Sequence, residues 1–166
     1  MAHPTRDPDR APAQPIEVAL TEASGGKPPA PKSAVVTRRR VLVVEDNPHV
    51  SDMLRYSLGR LADKQGTPGS ILVAQVADGA EAIEALQGEH YDLVITDMYM
   101  PVLDGGGLLD WVRSNQNHVP VVVVSAGGPD ARATAERKGA ARFLAKPVRL
   151  SDVIDSVEQL LTTPPS

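Results

Sequence analysis

Five short runs of β-branched and aliphatic residues, spaced through the last three-quarters of a 166-residue chain, constrain this sequence more than any other feature. They are Val41 to Val44, Ile71 to Val76, Leu93 to Thr96, Val121 to Val124 and the shorter Phe143 to Ala145. Each is too short for a helix, as expected of a parallel strand buried on both faces. Helical periods fill the gaps between them. Val50, Met53, Leu54, Leu58 and Leu61 mark one face of the first helix, with Asn47 placed to cap it and Pro48 in its first turn. Ile83 and Leu86 mark the second, and Leu108, Trp111 and Val112 the third. The fourth, Asp130 to Lys138, has only alanines to bury, so weak packing is expected there. Val153, Ile154, Val157, Leu160 and Leu161 mark the fifth, before Pro164.

Strands alternating with helices in this way make an α/β doubly wound parallel sheet with helices on both faces. Right-handed crossovers make the flavodoxin-like order 2-1-3-4-5 the expected five-stranded arrangement. In that order a crevice opens at the C-terminal ends of the first and third strands, and chemistry is to be sought there.

Composition narrows the partners. The first 40 residues carry a net +3 and the remainder −7, so the folded part is acidic and a nucleic-acid groove is not expected. The chain has no cysteine, which removes disulfides, thiol nucleophiles and thiolate metal sites. No apolar run approaches the roughly 20 residues of a spanning helix. No signal-peptide pattern opens the chain. A cytoplasmic location without membrane insertion is therefore expected. Seven of the 15 prolines fall in the first 31 residues, among Ala, Gly, Ser and scattered charges. That composition cannot bury enough to offset its ordering entropy. Residues 1–39 are read as a disordered Pro/Ala-rich tail, in which residues 16–20 could dock on a partner. Residues 40–163 form the domain and 164–166 a short C-terminal tail. Arg38, Arg39 and Arg40 are read as the approach to the first strand.

The strand ends carry the chemistry. The first ends in Glu45-Asp46, the third in Thr96-Asp97, the fourth in Ser125 and the fifth in Lys146-Pro147. Any one of these alone suits a cap or a turn. Four segments each delivering a reactive group to one edge do not. Three carboxylates this close cannot all ionise cheaply unless one pKa rises or a cation joins them. An all-oxygen donor set without His or Cys fits Mg²⁺. With Mg²⁺ and the Lys146 ammonium in place the edge becomes attractive to a phosphoryl group, which an Asp carboxylate could accept as an acyl phosphate.

Five strings, in order and at matching spacing, carry a resemblance. They are Val-Leu-Val-Val-Glu-Asp-Asn (41–47), Ala-Asp-Gly-Ala-Glu-Ala-Ile (77–83), Asp-Leu-Val-Ile-Thr-Asp-Met-Tyr-Met-Pro-Val-Leu-Asp-Gly (92–105), Val-Val-Val-Val-Ser-Ala (121–126) and Phe-Leu-Ala-Lys-Pro (143–147). From Val41 to Leu161 the chain resembles a response-regulator receiver domain, the bacterial phosphoacceptor half of a two-component system. The resemblance implies that Asp97 is the phosphoacceptor. It implies that Glu45, Asp46, Asp97 and the backbone carbonyl of Tyr99 hold Mg²⁺, and that Lys146 and Ser125 contact the phosphoryl group. Ser125 and Phe143 take the hydroxyl and aromatic switch positions, and Pro147 that of a cis-proline. Tyr99, two residues after Asp97, takes a place that tunes access and acyl-phosphate lifetime. The implied donor is a sensor histidine kinase or phosphotransfer protein.

Some features depart from the family pattern. Glu45 replaces the more usual Asp, and Phe143 lacks a tyrosine hydroxyl. In Gly105-Gly106-Gly107 the second and third glycines would each cost about 1 kcal/mol in a helix interior, so a frayed start to the third helix is expected, with a tight turn as the alternative. The chain ends at Ser166 with no further module after the fifth helix, so a stand-alone receiver signalling by protein contact is expected. The contact surface is expected on the fourth helix, fifth strand and fifth helix, where Arg132, Glu136, Arg137, Lys138 and Arg142 cluster. A phosphorylation-dependent homodimer is left open. Such a protein is no turnover enzyme; it assists its own phosphoryl transfer and slow dephosphorylation. The main rival is a receiver-like scaffold or adaptor that binds regardless of phosphate. A haloacid-dehalogenase-type phosphatase would need an Asp where Tyr99 stands. A flavodoxin-like nucleotide binder would need a Gly- or Ser/Thr-rich loop in place of Glu45 to Pro48. DNA binding through the basic tail is a distant third.

Overall fold

The computed structural model describes residues 37–65 and 70–162, so the tail readings for 1–36, including 16–20, and for 163–166 lie outside the described residues. Ten elements alternate: β1 (Arg39–Val44), α1 (Pro48–Lys64), β2 (Ile71–Val76), α2 (Gly79–Gly88), β3 (Leu93–Thr96), α3 (Gly105–Ser114), β4 (Val121–Ser125), α4 (Pro129–Arg137), β5 (Arg142–Ala145) and α5 (Leu150–Thr162). The five strands are all parallel in the order 2-1-3-4-5, as expected. β1 begins at Arg39, two residues before the aliphatic run, because charge pairs hold its start. The Arg39 guanidinium donates to Asp92 at 3.0 Å, and the Arg40 amide donates to the same carboxylate at 2.7 Å. Arg40 also pairs with Glu89 and lies 5.2 Å over the Tyr91 ring.

Strand alternation sends neighbouring residues to opposite faces and divides the core in two. Val41, Val43, Leu93, Ile95, Val122 and Val124 pack with α1 and α5. Leu42, Val44, Val94, Val121, Val123 and Phe143 pack with α2, α3 and α4. The aliphatic side chains of β1, β3 and β4 are all nearly inaccessible, which explains why these runs show no polar alternation. Each such side chain stabilises the fold by about 1.5–3 kcal/mol relative to exposure.

Three helix starts rest on side-chain caps. Asn47 accepts from the His49 amide at 3.0 Å, Asp78 from Ala80 and Glu81, and Asp104 from Gly107 at 2.8 Å. Two expectations are corrected here. Met53 is 49% exposed rather than packed with Leu54, Leu58 and Leu61, because it stands on the flank of α1 beside the C-terminal edge of the sheet. The three glycines form the first turn of α3 and are not frayed. The turn is held by the Asp104 cap, with Gly105 and Gly106 buried. Trp111 is only partly buried, and Leu109 takes the deeper place. α4 buries only Ala131 and Ala135, as its composition implied.

Candidate functional site at the carboxyl edge of the sheet

Parallel pairing brings the C-terminal ends of β1, β3, β4 and β5 to one edge, and the pairing register sets their depth. Val44 is level with Thr96, and Ser125 with Ala145, so the residues that follow emerge together. Lys146 bridges the group. Its ammonium lies 2.6 Å from Asp97 Oδ2 and 3.8 Å from Glu45 Oε2. The second oxygens of both acids are held by backbone: Tyr99 N–H donates to Asp97 Oδ1, and Asn47 N–H to Glu45 Oε1, each at 3.1 Å. Asp46 stands beside them, exposed. The Lys146–Pro147 peptide bond is cis.

Burial sets the electrostatics. The Glu45 side chain is 9% exposed, and this desolvation raises its pKa above the ordinary 4.5 despite the Asn47 amide and Lys146, which pull it down. For Lys146, burial works to lower the pKa, but the hydrogen bond and charge of Asp97, with the charges of Glu45 and Asp46, outweigh it. Lys146 is thus held firmly as a cation. It is one positive charge against three acids, so the edge is net negative. Among the described residues no three acids or histidines gather into a ready metal cage. Mg²⁺ does not require one, since it keeps several waters and takes one or two carboxylates besides phosphate oxygens. The all-oxygen donors Glu45, Asp46 and Asp97 fit that habit.

Strand parity separates two groups of side chains. Glu45, Asp97 and Lys146 continue the parity of Val43, Ile95 and Leu144 and open toward α1 and α5. Ser125 and Phe143 belong to the opposite face, against α4. Ser125 is fully buried; its Oγ accepts from Gly127 N–H at 3.4 Å, and its carbonyl accepts from Lys146 N–H at 2.8 Å. Phe143 is buried between β4 and α4, and the Arg132 guanidinium lies 5.0 Å over its ring. Tyr99 is 63% exposed, with its ring against Gly127 in the β4–α4 loop.

Two supporting residues had no reading as such from the sequence. A Cβ on Gly105 would lie 2.2 Å from the Asp97 carbonyl oxygen, and the Gly105 amide donates to Met98, so only glycine lets α3 start this close to Asp97. At Gly127 a Cβ would meet Ala131 at 2.3 Å and the Tyr99 hydroxyl at 2.9 Å. The signal available was the glycine itself, at the start of α3 for Gly105 and two residues beyond Ser125 for Gly127.

The charged residues of the α4–β5–α5 side differ in their partners. Lys138 turns away to pair with Asp110 of α3, and Arg137 bonds within its own helix, to Ala133 and Thr134. Arg132 pairs with Glu136 along α4, and Arg142 of β5 donates to Gln159 of α5.

A five-stranded 2-1-3-4-5 parallel sheet with an acid pair, an aspartate and a lysine at its carboxyl edge has the architecture of the receiver fold. The chain belongs to the response regulator receiver domain family, whose model matches residues 41–158. It is similar to the transcriptional regulatory protein PrrA of Mycobacterium tuberculosis, 37% identical over 127 residues, covering 76% of this chain and 51% of PrrA. The chain thus spans about half the length of the curated relatives of this kind. Among solved structures it resembles the receiver domain of the Francisella response regulator 1452, with a TM-score of 0.66 and 26% identity over 75% of this chain and 97% of that one. The receiver domain of sensor histidine kinase PA1611 from Pseudomonas aeruginosa, described with magnesium coordinated in its active site cleft, matches at a TM-score of 0.62 and 26% identity, covering 76% and 99%. Among the described residues no helix is long and apolar enough to cross a membrane.

Proposed function

We propose that this domain is a bacterial, cytoplasmic phosphorylation switch that accepts a phosphoryl group on Asp97 from a sensor histidine kinase or phosphotransfer protein. The observation that carries the reading is Lys146 Nζ, 2.6 Å from Asp97 Oδ2 and 3.8 Å from Glu45 Oε2 at the mouth of a parallel sheet. An Asp97 oxygen attacks phosphorus, the new O–P bond forms, and the donor's P–N bond breaks with its electron pair returning to the imidazole. Lys146 then transfers its hydrogen bond from the carboxylate to a phosphoryl oxygen. Glu45, Asp46, Asp97 and the Tyr99 carbonyl would hold Mg²⁺, which when bound supplies the charge neutralisation that a phosphoryl group needs beside three acids. Water attacking the acyl phosphate restores Asp97 and releases inorganic phosphate, so the chain is consumed and renewed slowly rather than turning over a substrate. Tyr99, standing over Gly127, governs access to that water.

The signal leaves through the other face of the sheet. Ser125, drawn toward the phosphoryl oxygens, gives up its contact with Gly127. The β4–α4 loop, Phe143 and α4 then shift population toward a second arrangement. The output is a protein contact on α4, β5 and α5.

Intact-mass spectrometry after incubation with acetyl phosphate and Mg²⁺ tests this reading. A single phosphoryl adduct is expected, absent in Asp97→Asn and with EDTA. No adduct from either acetyl phosphate or a cognate kinase would sink it and favour a phosphate-independent scaffold.

A further inference from the structure

The loop between Asp97 and α3 carries a strained residue with no packing of its own to offset the strain. Val102 has a φ of 66°, in the left-handed region where a β-branched side chain is an outlier. Its side chain is 83% exposed, so burial of Val102 does not hold it there. Such a conformation persists only where its surroundings over-determine it. The restraint must therefore come from the residues on either side.

Leu103 supplies it. Its carbonyl accepts from the amide of Gly79, the first residue of α2, at 3.0 Å. A Cβ on Gly79 would lie 2.6 Å from that carbonyl oxygen and 3.1 Å from Leu103 Cγ. A Cβ on Gly107 would lie 2.6 Å from Leu103 Cδ1 and 3.2 Å from Cγ. Leu103 thus sits in a seat made by two missing methyl groups, one at the start of α2 and one in the first turn of α3. The seat accounts for Gly107, which the propensity of α3 does not. Its α2 side is itself fixed, because Asp78 caps the helix and Glu81 accepts from the Ala77 amide at 2.7 Å. At its base the loop is closed by Gly105 N–H donating to the Met98 carbonyl at 3.1 Å. Between the base and the seat lies Tyr99, whose amide donates to Asp97 Oδ1 at 3.1 Å.

We infer that Leu103 is a positioning residue: seated between Gly79 and Gly107, it holds the β3–α3 loop so that Tyr99 keeps its amide on the Asp97 carboxylate and its carbonyl available to a metal. Leu103 acts through the loop and reaches neither the metal nor the phosphoryl group. The hold on the loop stands on geometry alone; its consequence for Mg²⁺ rests on the proposed function.

Gly79→Ala tests the seat, with Gly88→Ala as its control. Both glycines lie in α2, and a Cβ on Gly88 meets nothing within 4 Å. In the metal-free full chain, amide hydrogen exchange at Tyr99 and Gly105 should quicken about tenfold in Gly79→Ala, while β1 and β4 and the Gly88→Ala protein keep wild-type rates. In a Mg²⁺ titration followed by NMR shifts, Gly79→Ala should raise the dissociation constant about tenfold and Gly88→Ala should leave it unchanged. Leu103→Ala, which empties the seat without touching α2, should weaken Mg²⁺ in the same way. Leu103→Met, which refills it with a flexible chain of similar volume, should recover most of the affinity. Should Gly79→Ala fail to fold, the Leu103 pair carries the comparison. Equal exchange at Tyr99 and Gly105 in Gly79→Ala and Gly88→Ala would overturn the inference. So would a Mg²⁺ affinity that Leu103→Ala leaves unchanged. Failure of the wild-type chain to bind Mg²⁺ would count instead against the metal reading of the acids, and the exchange comparison would still decide the role of Leu103.

Discussion

At the scale of single residues, the ionised form of Glu45 works against the fold. Its carboxyl sits almost out of water with two other acids nearby, and the folded state therefore holds its proton more tightly than the unfolded chain does. The sign follows from linkage. Where the folded state binds more protons than the unfolded state, stability falls as pH rises. The contribution is present below the unfolded value of 4.5 and is lost as pH climbs through the raised folded value. In metal-free buffer, urea unfolding measured at stepped pH from 4.5 upward should show a falling segment that flattens once Glu45 is ionised in both states. Glu45→Gln should remove that segment. An unchanged slope in the variant would place the effect on another group. Gly105 constrains the same spot differently, since its missing Cβ is what admits the Asp97 carbonyl. The sequence suggested a cost for the glycines in α3. It held no sign that the first of them lies against the backbone of Asp97, because that approach depends on where the β3–α3 loop returns.

At the scale of elements, α4 stands apart. It buries two alanines, whereas α1 buries Leu54, Leu58 and Leu61 and α5 buries Val153 and Val157. Gly128 at its start offers no side-chain cap. What ties it to the sheet beyond those alanines is Arg132, lying over the Phe143 ring, while Lys138 just past its end pairs with Asp110 of the neighbouring α3. A cation over an aromatic ring at a partly exposed site contributes about 0.5–1 kcal/mol. Elements of low local stability are those that move in switching. Arg132→Met keeps the aliphatic bulk and removes the cation, so α4 amides should exchange with deuterium a few-fold faster while those of α1 stay unchanged. Equal protection in the variant would mean that the alanine contacts alone hold the helix. Where Phe143 lacks a hydroxyl to fix its inward position, the Arg132 guanidinium supplies a different restraint on the same ring.

At the scale of the whole molecule, the five aliphatic runs were enough to set out the sheet and its order. Burial on both faces holds for β1, β3 and β4, whereas the edge strands β2 and β5 leave Leu72 and Arg142 exposed. The edge was equally legible, since parallel topology obliges the residues after each strand to meet. Less legible was everything that depends on the third dimension of loops. Met53 follows the helical period yet stands at a cavity mouth, and Lys138 lies in a charged run yet answers to Asp110. The division of the edge into a side with Glu45, Asp97 and Lys146 and a side with Ser125 and Phe143 was implicit in strand parity, and the packing of α1 and α5 against one side and α4 against the other makes it visible. That division leaves the carboxyl edge with three carboxylates against one ammonium, so a divalent cation that binds the folded state and not the unfolded one must stabilise the fold. At a free Mg²⁺ concentration about 100 times its dissociation constant the gain is about 2.7 kcal/mol. Urea denaturation with and without Mg²⁺ should show the midpoint rising at constant m-value, and Asp46→Asn should lose most of that rise. A midpoint indifferent to Mg²⁺ would mean that Lys146 already satisfies the acids and that the edge does not recruit a metal on its own.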